Sequence, residues 1–283
     1  HRFPMEKYEL LPQQLLLEGT CIKEDFFEPQ PLNREIVERV HDSNYVNRLC
    51  NLELDKSEVR KIGFPLSQAL VKREFTIAGG TVAGAKKALN TGIAMNIAGG
   101  THHAFSSHGE AFCLLNDQAI ATQYLLDHTK VKKVLILDLD VHQGNGTAEI
   151  FKTNDAVFTC SVHGAKNYPF KKEQSDLDLA FEDHTGDSYY LDQIKTLLPK
   201  LLDQIIPSFI FYLCGVDVLE SDKLGRLDLS IEGCKLRDQM VLEFCNKNGI
   251  PIQCSMGGGY SKDINVIVEA HANTYREAVK LYT

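Results

Sequence analysis

The sequence predicts a single-domain, three-layer α/β/α protein in which a central, mainly parallel sheet lies between two layers of helices. Short apolar segments alternate with longer amphipathic segments along the whole chain, as they do when each strand is followed by a crossover helix. Residues 134–137 are apolar without interruption, which is typical of a parallel strand buried on both faces. No repeat or linker divides the 283 residues, so we expect one domain, residues 1–283.

The order of the elements follows from turn residues and hydrophobic periodicity. Leu11 and Leu15 stand at helical spacing in the first segment, and prolines 29 and 31 mark the loop after it. We expect strands at residues 93–97, 134–137, 157–162, 209–214 and 251–255. We expect helices at residues 33–49, 79–89, 112–127, 146–151, 188–206, 233–248 and 262–282. Residues 60–73 are expected to form a surface loop or short helices near the site, and residues 164–186 a long polar loop.

The composition argues against several classes of protein. The net charge of -8 and the absence of a Lys/Arg-rich run predict no direct nucleic-acid partner and leave room for a cationic substrate. No apolar run is long enough to span a bilayer, and no signal-peptide pattern opens the chain. Because the chain starts at His1 rather than at a methionine, the pattern leaves room for a short leader or first strand before it.

The eight cysteines indicate a reducing environment. They are scattered along the chain without a C-x-x-C pair, and several lie in apolar segments. We therefore expect reduced core thiols in a cytoplasmic protein, with the nucleus as a second location if the source is eukaryotic.

Chemically reactive side chains follow the predicted strands, at the points where those strands end. Side chains alternate along an extended chain, so the two aspartates and the histidine after residue 137 project to one side. Because the carboxyl ends of parallel strands meet at one edge of a sheet, we expect these groups to share one crevice. They are His102, His103, Asp138, Asp140, His142, Asp217 and Tyr260.

Three of these side chains predict a metal site. Asp140, His142 and Asp217 form an oxygen-rich set that leaves one coordination position of a zinc ion free for water or substrate. The structural alternative for Asp140 and His142 is a helix-capping carboxylate beside a loop histidine that forms a hydrogen bond. For His102 and His103 it is a pair of solvent-exposed residues, and for Tyr260 an aromatic that anchors a loop.

Taken together, these segments resemble the zinc-dependent histone deacetylase family, within the arginase-deacetylase fold. The resemblance covers nearly the whole chain. It rests on Gly-Gly-Thr-His-His-Ala, Ala-Phe-Cys-Leu-Leu-Asn-Asp, Asp-Leu-Asp-Val-His-Gln-Gly-Asn-Gly, Gly-Val-Asp and Gly-Gly-Gly-Tyr, in the family's order. Residues 143–146 and 217–225 look most like the class IV branch and its bacterial relatives.

The resemblance implies a role for each motif residue. It makes Asp140, His142 and Asp217 the ligands of one zinc ion per chain. It makes His102, His103 and Tyr260 catalytic, with Asp138 behind His102 and Asn145 behind His103. It places Ala111, Phe112 and Tyr168 in the wall of an acyl-lysine tunnel. It implies a structural K+ or Na+ ion held by Asp138, the backbone of Asp140 and His142, Ser161 and Val162. It also makes Arg2 similar to the arginine near an internal product channel.

Two residues depart from the family's pattern. Asn145 stands where class I enzymes have an aspartate, so His103 lacks an anionic partner and its charged form is less stabilised. Ala111 replaces a glycine before the tunnel phenylalanine, which is expected to narrow the tunnel mouth.

The expected activity is hydrolysis of an acyl amide, acetyl or longer fatty acyl, on the lysine side chain of a protein or peptide. His103 is the candidate general base and acid, and Tyr260 the donor to the oxyanion. Hydrolysis of acetylated polyamines stays open, and a non-catalytic metal-binding protein is less favoured because every catalytic residue is present. A two-manganese ureohydrolase is disfavoured because residues 143–145 contain no further carboxylate. The sequence does not determine the oligomeric state.

Overall fold

The computed structural model describes residues 3–282. The strands are β1 (Ile93–Asn96), β2 (Val134–Asp138), β3 (Val157–Gly164), β4 (Leu177–Phe181), β5 (Phe209–Leu213) and β6 (Ile252–Ser255). The helices are α1 (Lys7–Leu17), α2 (Arg34–Val37), α3 (Ser43–Cys50), α4 (Lys56–Ile62), α5 (Gln68–Thr91), α6 (Asp117–His128), α7 (Asn145–Phe151), α8 (Asp187–Ile205), α9 (Ile231–Lys247) and α10 (Ile264–Tyr282). One short 3-10 helix, Lys23–Asp25, follows α1.

The sheet has six strands in the order β1-β6-β5-β2-β3-β4, and every strand pair is parallel. Side chains on opposite faces of β2 enter two separate cores. Leu135 and Leu137 pack with α8, α9 and α10, while Val134 and Ile136 pack with α3, α5 and α6. The prediction of a parallel sheet covered on both faces is therefore confirmed, and β2 is buried at all five positions.

The prediction that a helix begins at Gly79 is wrong. Helix α5 begins at Gln68, where the Ser67 hydroxyl accepts a hydrogen bond from the Leu70 amide, so Gly79 and Gly80 lie inside the helix. A Cβ atom at residue 79 would overlap the carbonyl oxygen of Gln30 in the loop that crosses the helix. The glycine thus provides room for a backbone crossing, a tertiary requirement that has no local signature.

We expect Gly79→Ala to destabilise the protein by about 1–3 kcal/mol, because the new methyl group must displace backbone. Gly84→Ala is the matched control in the same helix, since its Cβ would lie 3.5 Å from the Gln253 side chain, an ordinary contact. Alanine favours helix by up to about 1 kcal/mol over glycine, so Gly84→Ala should be neutral or stabilising. Urea unfolding of both variants checks this, and equal effects would contradict the crossing argument.

Other element boundaries also differ from the prediction. The helix expected from residue 112 begins at Asp117, behind an Asn116 cap that accepts from the Ala119 amide at 3.0 Å. The helix expected at residues 33–49 is two short helices, α2 and α3. The loop expected at residues 164–186 contains β4, whose side chains alternate between half-buried and exposed along most of its length. Such an edge strand has a polar sequence because one of its faces meets solvent.

Candidate active site

The loops after β1, β2, β5 and β6 meet at one edge of the sheet and enclose a cavity of about 950 Å³. Its floor contains the histidine pair, two candidate metal ligands and the candidate tyrosine. The lining residues include His102, His103, Asp140, His142 and Tyr260, with Ala111, Phe112 and Tyr168 also in contact with the space. Five of the seven side chains predicted from the sequence thus line one cavity. Asp138 and Asp217 do not line it, but they contact His102 and His142, which do. A larger cavity of about 1280 Å³ lies along β1, beside α1, α5 and α10, and contains none of these groups.

Asp140, His142 and Asp217 form a compact, buried cluster. Their ligand atoms all lie within 4.8 Å of one another. Nδ1 of His142 is 3.1 Å from Oδ1 of Asp140 and 3.1 Å from Oδ2 of Asp217. Asp217 has no exposed surface and Asp140 almost none. Three donor atoms that face a common point are suited to hold one metal ion.

The electrostatics of the cluster support a bound cation. Burial, together with the negative charge of Asp140, raises the pKa of Asp217 to about 7. Although burial opposes the charged imidazole, hydrogen bonds to both carboxylates raise the pKa of His142 to about 10. Two buried carboxylates are unfavourable without a positive charge between them. A divalent ion supplies that charge, and one imidazole with two carboxylates is a donor set that zinc accepts.

Backbone groups fix the outer oxygens of both carboxylates. The Gly258 amide donates to Oδ2 of Asp140 at 2.8 Å, and the Val141 amide donates to Oδ1 of Asp217 at 3.0 Å. A Cβ atom on residue 258 would overlap the Asp217 carboxylate, so this position requires glycine. These bonds orient the oxygens that point into the cluster.

A buried arginine supports the two strand ends that carry the cluster. Nη1 of Arg237 donates to the carbonyl oxygens of Leu139, at 3.1 Å, and Gly215, at 2.8 Å. These residues lie just before Asp140 and Asp217 in the chain. Arg237 is fully buried and pairs with Asp238. Sequence reasoning missed this residue, because a charged side chain on a helix is ordinarily expected in solvent.

The two histidines have different second partners. Nδ1 of His102 is 2.6 Å from Oδ2 of Asp138, and Nδ1 of His103 is 2.7 Å from Oδ1 of Asn145. Burial lowers the pKa of His102, but the charges of Asp138 and Asp140 outweigh it and raise the net value. Burial and the positive charges of His102 and His142 hold the pKa of His103 well below 6.5. His103 is therefore neutral near pH 7, with Nδ1–H donating to Asn145 and Nε2 left with a lone pair.

We expect Asn145→Asp to raise the pKa of His103, because a carboxylate would stabilise the imidazolium that the amide does not. The wild-type enzyme should stay active at pH values below 6.5, because its activity falls only when the pH drops far enough to protonate His103. In the variant the acidic limb of the kcat/KM profile should move to higher pH. The profiles of both proteins check this, and Asn154→Asp, in the loop between α7 and β3, is the control, since aspartate keeps the oxygen that accepts from the Ala156 amide. An unmoved acidic limb would contradict the assignment of that limb to His103.

Tyr260 is held against the cluster by its backbone and its ring. Its amide donates to Oδ2 of Asp222 at 2.6 Å, and its ring centroid is 6.4 Å from that of His142. Burial and the nearby charges of Asp217 and Asp140 hold the pKa of Tyr260 well above 10. The hydroxyl therefore stays protonated and can donate a hydrogen bond into the cavity.

The candidate tunnel wall is a strained turn packed on α4. Ala111 and Phe112 both have positive φ angles, 44° and 68°, and their amides donate to the carbonyls of Lys61 and Ile62. The Phe112 ring lies 6.2 Å from that of Tyr260. Tyr168 packs edge-on against His103 at 5.1 Å between centroids. Positive φ angles are unfavourable at two consecutive non-glycine residues. The surrounding contacts, including the bonds to α4, hold the backbone in this conformation.

The outer mouth of the cavity carries positive charge. Six basic residues line the cavity. Arg73 is half-buried and pairs with Glu74 at 2.7 Å, and the other five are exposed: Arg60, Lys61, Lys166, Lys223 and Arg226. Two carboxylates partly compensate them, since Asp183 pairs with Arg226 at 3.0 Å and Glu182 with Lys166 at 3.5 Å. We refer to the five exposed basic residues as the basic rim.

Lys7 is a further buried cation that sequence reasoning missed. It opens α1, has no exposed surface and donates from Nζ to the Gly257 carbonyl at 3.0 Å. Burial lowers its pKa to about 8, against the opposing charges of Asp217 and Asp140. Lys7 shares its helix face with Leu11 and Leu15, so the i, i+4, i+8 spacing was the available signal. Arg2, the predicted channel arginine, lies outside the described residues.

All eight cysteines are free thiols, and six of them are buried. Among residues 3–282, no helix is both long and apolar enough to cross a membrane.

The fold and the cavity define a parallel α/β protein with a candidate metal centre at the carboxyl ends of its strands. More specifically, the chain belongs to the histone deacetylase family: the family model described as histone deacetylase domain matches residues 1–275. The fold is accordingly the arginase-deacetylase fold.

Similar proteins support this placement. An uncharacterised protein of Picosynechococcus sp. is 43% identical over 282 residues, which cover all of this chain and 94% of that protein. Histone deacetylase 1 of Homo sapiens is 31% identical over 99% of this chain and 61% of its own length. A crystal structure of a histone deacetylase homologue from Aquifex aeolicus superposes with a TM-score of 0.84 at 24% identity, over 99% of this chain and 79% of that one.

Proposed function

We propose that residues 1–283 form one zinc-dependent catalytic domain that removes acyl groups from lysine side chains of proteins or peptides. The observation that carries the proposal is the convergence of the Asp140-His142-Asp217 cluster, a neutral histidine and a protonated tyrosine on one cavity. A metal, a base and an oxyanion donor are the groups that amide hydrolysis needs.

Asp140, His142 and Asp217 would hold the zinc ion. When bound, zinc acts as a Lewis acid toward the amide carbonyl and lowers the pKa of water. Nε2 of His103 accepts the proton of the attacking water and later delivers a proton to the lysine amine that leaves. His102 lies beside it and is held in place by Asp138, whose charge raises the pKa of His102 against the effect of burial. The Tyr260 hydroxyl donates to the carbonyl oxygen as negative charge develops there.

The charge at the mouth favours lysine amides of proteins over acetylated polyamines. An acetylpolyamine carries further ammonium groups close to its amide, and these would meet the basic rim. Phe170, at the same mouth, is 90% exposed. Aromatic side chains are enriched in interfaces between proteins. The rim and this ring therefore support a peptide-sized substrate.

A monovalent cation beneath the cluster is part of the proposal. Asp138 and Ser161 are direct neighbours in the β2–β3 pairing, and Asp138, Ser161 and Val162 are buried. Together with the carbonyls of Asp140 and His142 they would form an oxygen-rich K+ or Na+ site. Such an ion would partly neutralise the buried Asp138 carboxylate.

The testing experiment is a substrate panel. Acetyl-lysine and myristoyl-lysine peptides and acetylspermidine are offered to purified protein before and after chelation, and after zinc is restored. We expect acyl-lysine turnover that disappears with the chelator and returns with zinc. Turnover of acetylspermidine alone would show that the substrate is an acetylated polyamine rather than an acyl-lysine. Absence of any turnover by zinc-loaded protein would overturn the proposal.

A further inference from the structure

The basic rim contrasts with the charge of the rest of the molecule. The whole chain has a net charge of -8, yet the five exposed charged residues that line the cavity are all basic. They come from three separate segments, the end of α4, the loop after β3 and the loop after Asp217. Five exposed basic residues around one opening are unexpected in a chain with a net charge of -8.

Three of these cations have no carboxylate partner within the described part of the chain. Arg60, Lys61 and Lys223 form no ion pair with a carboxylate anywhere in residues 3–282. Arg60 and Lys61 lie in the last turn of α4, where a cation interacts favourably with the helix dipole. Helix stability therefore accounts in part for these two residues. Lys223 lies in a loop, and no helix end explains it.

The neighbouring carboxylates are already used. Glu182 and Asp183 pair with Lys166 and Arg226, and the Glu110 carboxylate lies near the Tyr168 hydroxyl, whose pKa is raised by burial and by that charge. The opening therefore has an excess of positive charge, which faces the residues on either side of the acyl-lysine when a peptide substrate enters. Charges of one sign at the mouth of a low-dielectric cleft raise the association rate of ligands of the opposite sign.

We propose that the basic rim selects acyl-lysines flanked by acidic residues, with Arg60, Lys61 and Lys223 as the specificity-determining residues. This inference rests on the proposed function, since it concerns the substrate of the same site. It makes the lysine-rich flanks of a basic protein tail poor substrates, because like charges would then meet at the rim. Recognition is electrostatic and lies outside the catalytic floor, so it acts on capture of the substrate rather than on the chemical step.

The test compares three peptides that differ only around one central acyl-lysine, flanked by Glu, by Gln or by Lys. The expected order of kcat/KM is Glu above Gln above Lys, with roughly tenfold or more between the extremes at low salt. The difference should lie mainly in KM, and should shrink as NaCl shortens the screening length to about 10 Å at 0.1 M. A blocked acyl-lysine without flanking residues reports the chemical step alone.

The variant that tests the assignment is Arg60→Gln/Lys61→Gln/Lys223→Gln. It should lose most of the preference for Glu flanks while it cleaves the blocked acyl-lysine at the wild-type rate. The control Lys130→Gln/Lys132→Gln/Lys200→Gln removes the same charge from exposed lysines that do not line the cavity, and should keep the preference.

Each other outcome overturns a definite statement. Equal kcat/KM for Glu and Lys flanks overturns the inference and leaves the proposed deacylase function in place. A preference that survives in the rim variant, or is lost equally in the control, overturns the assignment to these three residues. If no acyl-lysine is cleaved by zinc-loaded protein, the proposed function itself fails.

Discussion

Asp217→Asn should lose zinc binding and catalysis without losing the fold. The substitution keeps a side-chain oxygen for the Val141 amide, which now donates to Oδ1 of Asp217 at 3.0 Å. It removes one of three candidate ligands and half of the anionic charge. Loss of a residue that merely supports a ligand costs about 10–100-fold in metal affinity, so loss of a ligand should cost more than 100-fold.

The stability of the metal-free protein gives this prediction a second readout. Burial and the charge of Asp140 raise the pKa of Asp217 to about 7, so its ionised form is unfavourable in the metal-free fold. The variant should therefore unfold at the same temperature as wild type or higher when both are free of metal. Zinc should raise the Tm of wild type only, because a ligand that binds the folded state stabilises it.

Competitive chelator titration and thermal unfolding with and without zinc measure both effects. Asp228→Asn is the matched control, since Asp228 pairs with His184 at the surface and lies outside the cluster. Zinc affinity within about threefold of wild type would show that Asp217 is not a ligand. A metal-free variant that unfolds well below wild type would show that the carboxylate is needed for folding.

The residues of the candidate site were predictable because they depend on local pattern and on one rule of topology. An uninterrupted apolar segment identified β2, and parallel pairing brings the residues after β2, β5 and β6 to one edge. The helix boundaries depended on contacts that the local sequence does not contain. Gly79 belongs to the interior of α5 because the backbone at Gln30 crosses it, and Phe112 belongs to a turn because α4 binds its amide.

The supporting cations show a different limit of sequence reasoning. Lys7 and Arg237 are polar residues on helices, and each is buried because a carbonyl from a strand-end loop accepts its hydrogen bonds. Periodicity identifies the buried face of α1, but it does not say that a lysine on that face has a partner. The partner comes from the loop after β6, 250 residues away.

Net charge was also a poor guide to the substrate. The value of -8 for the chain left room for a cationic substrate, whereas the opening of the cavity is lined by Arg and Lys. A substrate responds to the charges within about a Debye length of the opening, not to the total. Only the folded structure brings residues 60–61, 166 and 223–226 to one place.

Tyr260→Phe should reduce kcat by roughly 100–1000-fold, about 3–4 kcal/mol, with a much smaller change in KM. The hydroxyl donates to an oxygen that carries full negative charge only as the reaction proceeds, so its loss raises the barrier more than it weakens binding. The ring should stay in place, because the Tyr260 amide remains bonded to Asp222 and the aromatic contacts with Phe112 and His142 do not involve the hydroxyl. Zinc affinity should therefore be unchanged.

The pH dependence distinguishes hydrogen bonding by Tyr260 from ionisation of Tyr260. Because burial holds its pKa well above 10, the hydroxyl stays protonated over the working range, and the ratio of wild-type to variant kcat should be constant from neutral pH upward. A ratio that falls as pH rises would instead mean that the phenol ionises within that range and loses the proton that it donates to the oxyanion. Tyr189→Phe, at a tyrosine that is 61% exposed, is the control and should retain wild-type kcat. If kcat of Tyr260→Phe falls by less than about threefold, Tyr260 is not the donor to the oxyanion, and the metal must provide its stabilisation instead.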